Sequence, residues 1–474
     1  MTGPLWSIEA FLDATGAGAR GEMPDAVTGI SIDSRTVVAG EAFFAILGDR
    51  FDGHDFVAKA LSNGAGLAVV SADWAAEHAT DAMALAVVDD VLVALEGLGR
   101  AARERTNAKI LAVTGSVGKT STKEALRSAL SGAGKVHASV ASFNNHWGVP
   151  LTLARMPREA EFGVFEVGMN HAGEIATLID MIRPQVALVT NVVAVHIEYF
   201  ENIEAIADAK AEIFTGLVPG GTAILNADNP LTPRLKRAAR DNGIDDIRTF
   251  GEAEGADARL LDVTLLADRS RFSIGIGGAV HDVEIGAPGR HLVQNALGVL
   301  LAAHALGVDV EMAASGLAGL EQPRGRGRRS VLTLPAGEAV LIDESYNANP
   351  TSMRAALALL GQAPVSVPGR RIAVLGDMLE LGSEAAQLHA DLADPVEKAA
   401  VDLAFLSGPM MKSLWDALPE ARKGAYAVTS EELESHVVAA VGAGDAIMVK
   451  GSLGSRMGPI VTALTERFAA SHKE

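Results

Sequence analysis

At 474 residues the chain is about three times an average domain in length, so a single small module is excluded and three domains are expected. Lys plus Arg number 40 against 59 Asp plus Glu, a formal net charge of −19 that disfavours nonspecific nucleic-acid binding, so any polyanionic ligand has to be held locally. Cysteine is absent, which removes disulfides, thiolate catalysis and Cys-ligated zinc or iron–sulfur centres.

The opening run MTGPLWSIEAFLDATG places Glu9 and Asp13 where a secretory peptide needs a basic start and an unbroken apolar core. The longest apolar runs, such as 296–306 with His304 inside it, fall short of the ~20 residues that span a bilayer. A soluble, cytoplasmic protein without a membrane span is expected. Through the first hundred residues, apolar runs at 41–47, 66–70 and 84–88 alternate with Ala-rich helical stretches in a βα rhythm, up to a boundary near Asn107. From Lys109 the strands become short, buried and regularly spaced: 110–113, 163–167, 186–189 and 222–225. Near-continuous apolar strands separated by helices imply a parallel sheet covered on both faces. A more polar β-like stretch at 260–288 and a helix at 291–305 follow. The Arg- and Gly-rich run 323–329 reads as a second junction, and strands at 339–342, 371–375 and 446–449 form a third α/β segment. That segment has no GxGxxG, so a dinucleotide site there is not supported. The expected fold is thus α/β in segments divided near Asn107 and at 323–329.

The strongest local signal is Ile110-Leu-Ala-Val-Thr-Gly-Ser-Val-Gly-Lys-Thr-Ser-Thr122, a buried strand leading through a Gly-bearing loop into a helix with Ala125, Leu126, Ala129 and Leu130 on one face. Backbone N–H groups at such a helix start cradle phosphates, Lys119 reaches the outer ones, and Thr120 offers a hydroxyl to Mg²⁺. ATP is the expected ligand, held by Gly115, Ser116, Gly118, Lys119, Thr120 and Ser121, although Val113 stands where the general P-loop pattern has its first Gly. Glu166 ends the strand at 163–167, where open parallel sheets place their ligands, so it is a candidate metal ligand; a solvent-facing strand-end Glu is the alternative. His196 follows the strand at 186–191 and, taken alone, is better read as a hydrogen-bonded structural residue, since Mg²⁺ prefers oxygen. Lys210 is more informative. With Ile203, Ile206 and Ile213 it falls on one face of a helix, inside the apolar stripe. Desolvation there favours a neutral amine, which can add CO₂ to give a carbamate and so an oxygen ligand for Mg²⁺. From periodicity alone a snorkelling or salt-bridged lysine remains the better reading. His291 and Asn295 share a helix side and could hydrogen-bond an adenine or position a loop. Asp343 to Pro350 follows a strand end, where a ribose-binding acid and an Asn/Pro turn fit nearly equally well. The four Arg at 324–329 could touch phosphate or be solvated surface.

Taken together, these residues resemble the Mur ligase family across essentially the whole chain. The blocks that carry the resemblance, in order, are Ile32-Asp-Ser-Arg35 with Gly48-Asp-Arg-Phe-Asp-Gly-His54, the loop 114–120, Ser142-Phe-Asn-Asn-His-Trp-Gly-Val-Pro150, Glu166-Val-Gly168, Val195-His-Ile-Glu198, Lys210-Ala-Glu-Ile-Phe214, His291 to Asn295, Asp343 to Pro350, and Lys450-Gly-Ser452. The resemblance implies a smaller α/β domain at 1–107, a central P-loop ATPase domain with a mostly parallel sheet at 108–322, and a Rossmann-like domain at 323–474. It implies that Lys119 and Thr120 bind ATP phosphates and Mg²⁺, that Glu166 coordinates metal, and that His196 and a carbamylated Lys210 help hold a second Mg²⁺. It further implies Asn295 at the adenine, Asp343 and Asn347 near the ribose, Arg326 on the nucleotide from the junction, Ser34 and Arg35 facing a uridine diphosphate, and Asn144 and Asn145 facing a muramoyl group. Val195, Leu292 and Gly458 depart from residues common in the family at those places, without removing an implied catalytic group. The Tyr346-Asn-Ala-Asn-Pro350 block points to the member that adds D-alanyl-D-alanine to a UDP-N-acetylmuramoyl-tripeptide, through an acyl phosphate, in making the peptidoglycan precursor. The implied partners are these small molecules only, without nucleic acid, and a monomer is expected. Alternatives are a sister amino-acid-adding or folylpolyglutamate-type ligase, and a nucleotide-driven switch.

Overall fold

The computed structural model describes residues 3–469 apart from 49, 50, 141, 195, 196, 267, 321 and 323. Its centre is a nine-stranded sheet in the order Ala279–Ile285, Ser270–Ile276, Ala258–Leu265, Asp246–Gly251, Thr222–Asn226, Val186–Val189, Lys109–Thr114, Phe162–Glu166 and Val136–Ala138. Neighbouring strands run parallel from Val136–Ala138 through to Ala258–Leu265. The polar stretch expected at 260–288 becomes the two antiparallel pairings that extend this sheet. Side-chain alternation explains the layers, because successive residues of a strand face opposite ways. Leu111, Val113, Val164 and Leu188 join the core under helices Lys119–Leu130 and Arg290–Ala305. Ile110, Ala112, Phe165 and Val189 join the core on the other face, under helices Glu174–Ile182 and Ile203–Ala211. Each such fully buried Leu, Val or Phe contributes roughly 1.5–3 kcal/mol.

The helix expected over 203–214 is shorter than its periodicity suggests. It starts at Asn202, whose side chain accepts from Ala205 N at 2.8 Å, stays α-helical to Ala211, and tightens to a 3₁₀ turn over Glu212–Gly216. Two neighbours account for this. The Glu212 carboxylate accepts from Gly173 N at 2.6 Å and from Ala176 N at 3.1 Å, capping the positive start of helix Glu174–Ile182. Gly216 lies so close to Ile179 that a Cβ would stand 2.5 Å from its carbonyl oxygen.

A five-stranded sheet precedes the central one, in the order Gly18–Arg20, Leu85–Val88, Leu67–Ser71, Ala42–Phe44 and Ile30–Ser31. It is fastened to the central sheet's helices by helix Val91–Glu104, where Gly99 would bring a Cβ within 3.2 Å of Pro150 O. Just beyond that helix, Arg105 lies 3.3 Å over the Trp6 ring and donates to Leu5 O at 3.0 Å. A six-stranded sheet follows in the order Arg328–Leu334, Gly337–Glu344, Ala446–Lys450, Arg371–Gly376, Leu403–Ser407 and Lys423–Ala427, antiparallel only in its first pair. Among the described residues, no helix is long and apolar enough to cross a membrane.

Candidate active site

The loop after strand Lys109–Thr114 is fixed by two glycines and by the neighbouring strand end. Gly115 has φ +150°, and a Cβ there would stand 1.9 Å from Thr190 Oγ1. Gly118 has φ +85°, begins helix Lys119–Leu130, and would bring a Cβ within 2.9 Å of Asn295 Nδ2. Ser116 N donates to Asn191 O at 2.8 Å, Ser116 Oγ to Val193 O at 2.9 Å, and Thr190 Oγ1 to Val117 O at 2.6 Å. Strand end and loop are thereby one rigid cradle open at the helix start. We expect Gly118→Ala to cost about 1–2 kcal/mol from the left-handed backbone alone and to push Asn295 out of place. Where that strain is relieved by displacing the loop, calorimetric titration with ADP should show a roughly five- to thirtyfold loss of affinity, since every 1.4 kcal/mol is tenfold.

Half-buried Lys119 folds back so that Nζ donates to Gly115 O at 2.8 Å. Desolvation holds its pKa below the ordinary lysine value, with Glu166 opposing and Arg326 assisting the depression. Glu166, 1% exposed at the end of strand Phe162–Glu166, accepts from Thr120 Oγ1 at 2.8 Å on one oxygen and from Asn144 Nδ2 at 2.7 Å on the other. Ser142 Oγ lies 3.3 Å from Thr120 Oγ1 and accepts from Arg326 Nη2 at 3.1 Å. The Arg326 guanidinium in turn stands 4.3 Å above the Tyr346 ring. Lys210 is 2% exposed and, among the described residues, has no side-chain hydrogen bond or ion pair. Burial, and then the charge of Lys119, drives its pKa well below the ordinary value. An amine whose cation is disfavoured in this way is a nucleophile toward CO₂, and carbamylation would put an anionic oxygen donor in its place.

These groups border a cavity of about 760 Å³ between the central sheet and the third segment. Ser116, Gly118, Lys119, Thr120, Ser121, Asn144, Glu166, Asn295, Arg326 and Asn347 all line it. Gly115 and Lys210 are not among the residues lining it. Asp343, expected near a ribose, is 8% exposed and away from the lining, its oxygens accepting from Gly325 N at 2.7 Å, Ser345 N at 3.1 Å and Ser345 Oγ at 2.6 Å. It pins the junction rather than facing the cavity. Asn145 accepts from Gly148 N at 2.9 Å, at the start of helix Gly148–Ala154. Ser34 and Arg35 belong to the first sheet's loops: Ser34 O accepts from Asn63 Nδ2 at 2.8 Å, and exposed Arg35 pairs with Asp33 at 2.7 Å, holding that carboxyl below its usual range. His196 lies outside the described residues.

Reasoning from sequence gave no role to Ser142, Glu344 or Lys450. Lys450, 2% exposed, pairs with Glu344 Oε2 at 3.2 Å and donates to Asn347 O at 2.9 Å. The two face each other across strands Gly337–Glu344 and Ala446–Lys450, a register readable only once the pairing is known. Among the described residues, no three His, Cys, Asp or Glu side chains gather as a metal cluster. An ion here would draw on the Thr120 hydroxyl and Glu166 together with substrate oxygens, a set of hard donors suited to Mg²⁺.

Three family profiles match the chain: the Mur ligase family catalytic domain at residues 26–106, the Mur ligase middle domain at 113–303, and the Mur ligase glutamate ligase domain at 327–453. The UDP-N-acetylmuramoyl-tripeptide–D-alanyl-D-alanine ligase of Rickettsia prowazekii is 34% identical over 91% of this chain and 94% of its own length. The enzyme of that name from Escherichia coli K12 is 33% identical over 93% and 94%. A crystal structure of MurF from Acinetobacter baumannii superposes with a TM-score of 0.83 at 31% identity, covering 98% of this chain and all of that one.

Proposed function

This chain belongs to the Mur ligase family, and from that premise we propose an ATP-dependent amide ligase that joins D-alanyl-D-alanine to a UDP-N-acetylmuramoyl-tripeptide. The observation that carries this is the convergence of Lys119, Thr120 and Glu166 at one end of the central sheet, backed by the buried amine of Lys210, which has no ion-pair partner among the described residues.

The phosphate loop and Lys119 bind the triphosphate, the backbone N–H groups at the helix start facing its oxygens. Thr120, Glu166, a carbamylated Lys210 and His196 would hold Mg²⁺, which when bound neutralises phosphate charge. The tripeptide's terminal carboxylate attacks the γ-phosphorus, the bond to the β-phosphate oxygen breaks, and ADP leaves with an acyl phosphate formed. Such a transfer needs mainly alignment and charge compensation, which Lys119 and Arg326 supply from opposite walls. The dipeptide's free amine then attacks the acyl carbon, loses a proton and expels inorganic phosphate to give the pentapeptide. Because acyl phosphates hydrolyse, the wall formed by Arg326, Tyr346 and Asn347 serves to keep water out. In the same reading the chain divides near residues 107 and 322, Ser34 and Arg35 face the uridine diphosphate, Asn144 and Asn145 the muramoyl part and Asn295 the adenine. The enzyme is taken to act as a cytoplasmic monomer.

The test is phosphate release with paired candidate UDP-peptides and dipeptides. Release should require ATP, the UDP-tripeptide and D-alanyl-D-alanine together, one phosphate and one ADP per product. ATP hydrolysis indifferent to the dipeptide would sink the assignment.

A further inference from the structure

The hydroxyl of Ser142 has a direction, and its neighbours determine it. A guanidinium only donates, so Ser142 Oγ accepts from Arg326 Nη2 at 3.1 Å. An ionised carboxylate only accepts, so the Thr120 hydrogen goes to Glu166 Oε2 at 2.8 Å. That leaves a lone pair on Thr120 Oγ1 facing Ser142 Oγ at 3.3 Å, and the Ser142 hydrogen is the one available to fill it. From Arg326 through Ser142 and Thr120 to Glu166, every donor therefore points the same way. Hydrogen bonds aligned in this manner polarise and strengthen one another. The chain crosses the cavity, starting on the junction to the third segment and ending on the central sheet, with residues 142 and 326 separated by 184 positions.

We propose that Ser142 is a positioning residue that couples the docking of Arg326 to the geometry of the phosphate loop, a role that rests on the ligase reading above. Tyr346 fixes the plane of the guanidinium at 4.3 Å, and Asp343 fixes the adjacent Gly325 backbone through its 2.7 Å bond. Ser142 supplies the remaining contact, the one that reaches the loop itself. A short side chain that both accepts and donates is required: Ala does neither, whereas Thr keeps both capacities on the same stem. Nucleotide affinity resides in the loop and its backbone N–H groups, so losing the hydroxyl leaves ground-state binding in place and loosens the arrangement needed for transfer.

The experiment compares the full-length wild type with Ser142→Ala and Ser142→Thr in the phosphate-release assay, alongside ADP titration and thermal melting. Loss of one positioning hydrogen bond should lower kcat of S142A about tenfold, while its ADP affinity stays within about twofold and S142T recovers to within about threefold of wild type. A wild-type kcat in S142A overturns the proposal. Equal losses in S142A and S142T also overturn it, as does a kcat loss that tracks a drop in melting temperature and ADP affinity, since packing rather than the hydroxyl would then be at work. If the wild type itself fails to release phosphate in response to the dipeptide, it is the ligase reading that falls, a result distinct from an active wild type with an unaffected S142A.

Discussion

Lys210→Ala should reduce phosphate release by at least ~10³-fold, comparable to or above the loss of a preorganised electrostatic group in an active site, while the protein remains folded. The side chain is 2% exposed and has no ion-pair partner among the described residues, so its removal breaks no ion pair. On the proposed reading, what disappears is the amine whose carbamate would serve as the anion at the metal. Bicarbonate should not restore turnover in the variant, because there is no amine left to modify, whereas a short carboxylic acid that enters the vacated space restores part of it.

The same burial makes a stability prediction whose sign can be worked out. Lys210 has a folded pKa well below the ordinary 10.5, so between those two values the unfolded chain carries a proton that the folded chain lacks. Stability then rises with pH through that window. Lys210→Met, which cannot take up the proton in either state, should be at least as stable as wild type at neutral pH. Its margin should shrink as pH approaches 10.5, by up to about 1.4 kcal/mol per pH unit. Chemical denaturation of both proteins in CO₂-depleted buffer, where the amine stays unmodified, reads this directly. A margin that grows with pH would contradict the burial of a free amine.

Glu166→Gln should lower kcat/KM by roughly 10²–10³ with little change in melting temperature, the several kcal/mol expected from weakening a metal's contribution to charge stabilisation. Asn144 Nδ2 already donates to one carboxylate oxygen at 2.7 Å, so the new amide must keep its oxygen there and turn its nitrogen toward Thr120. The Thr120 hydroxyl can rotate to accept. Shape survives and the charge is lost, while Thr120 Oγ1 now accepts where it donated and its hydrogen must find another acceptor. Raising the Mg²⁺ concentration should recover part of the activity, and an E166Q enzyme at wild-type rate under limiting Mg²⁺ would remove Glu166 from the metal's surroundings.

How far the fold could be read from sequence depended on how local each signal was. The strand at 186–189 has the bounds expected from its four apolar residues, and helix Lys119–Leu130 begins where Gly118 permits a left-handed residue. The stripe through Ile203, Ile206 and Lys210 is matched by the burial of Lys210. The last turn of that same helix departs from its pattern because the Glu212 carboxylate is engaged on another helix, a contact no periodicity encodes. Within residues 343–350, Asn349 turned out to cap helix Pro350–Gln362 by accepting from Ser352 N at 2.9 Å, a signal present in the Asn-Pro-Thr-Ser order and legible in principle. The bond from Arg326 to Ser142 and the Glu344–Lys450 pair join residues 184 and 106 positions apart, so only the folded chain reveals them.

Gly325 and Gly327 flank Arg326 with φ of +75° and +101°, and Asp343 ties the first of them to a strand end of the third segment. The outer lobe and the guanidinium are consequently mounted on one bracket. Any swing of that lobe away from the nucleotide carries Arg326 off with it. On the proposed ligase reading this would act as an interlock: an open molecule would lack one of the charges that steady the phosphoryl group in transfer, and would sit idle instead of squandering ATP on water.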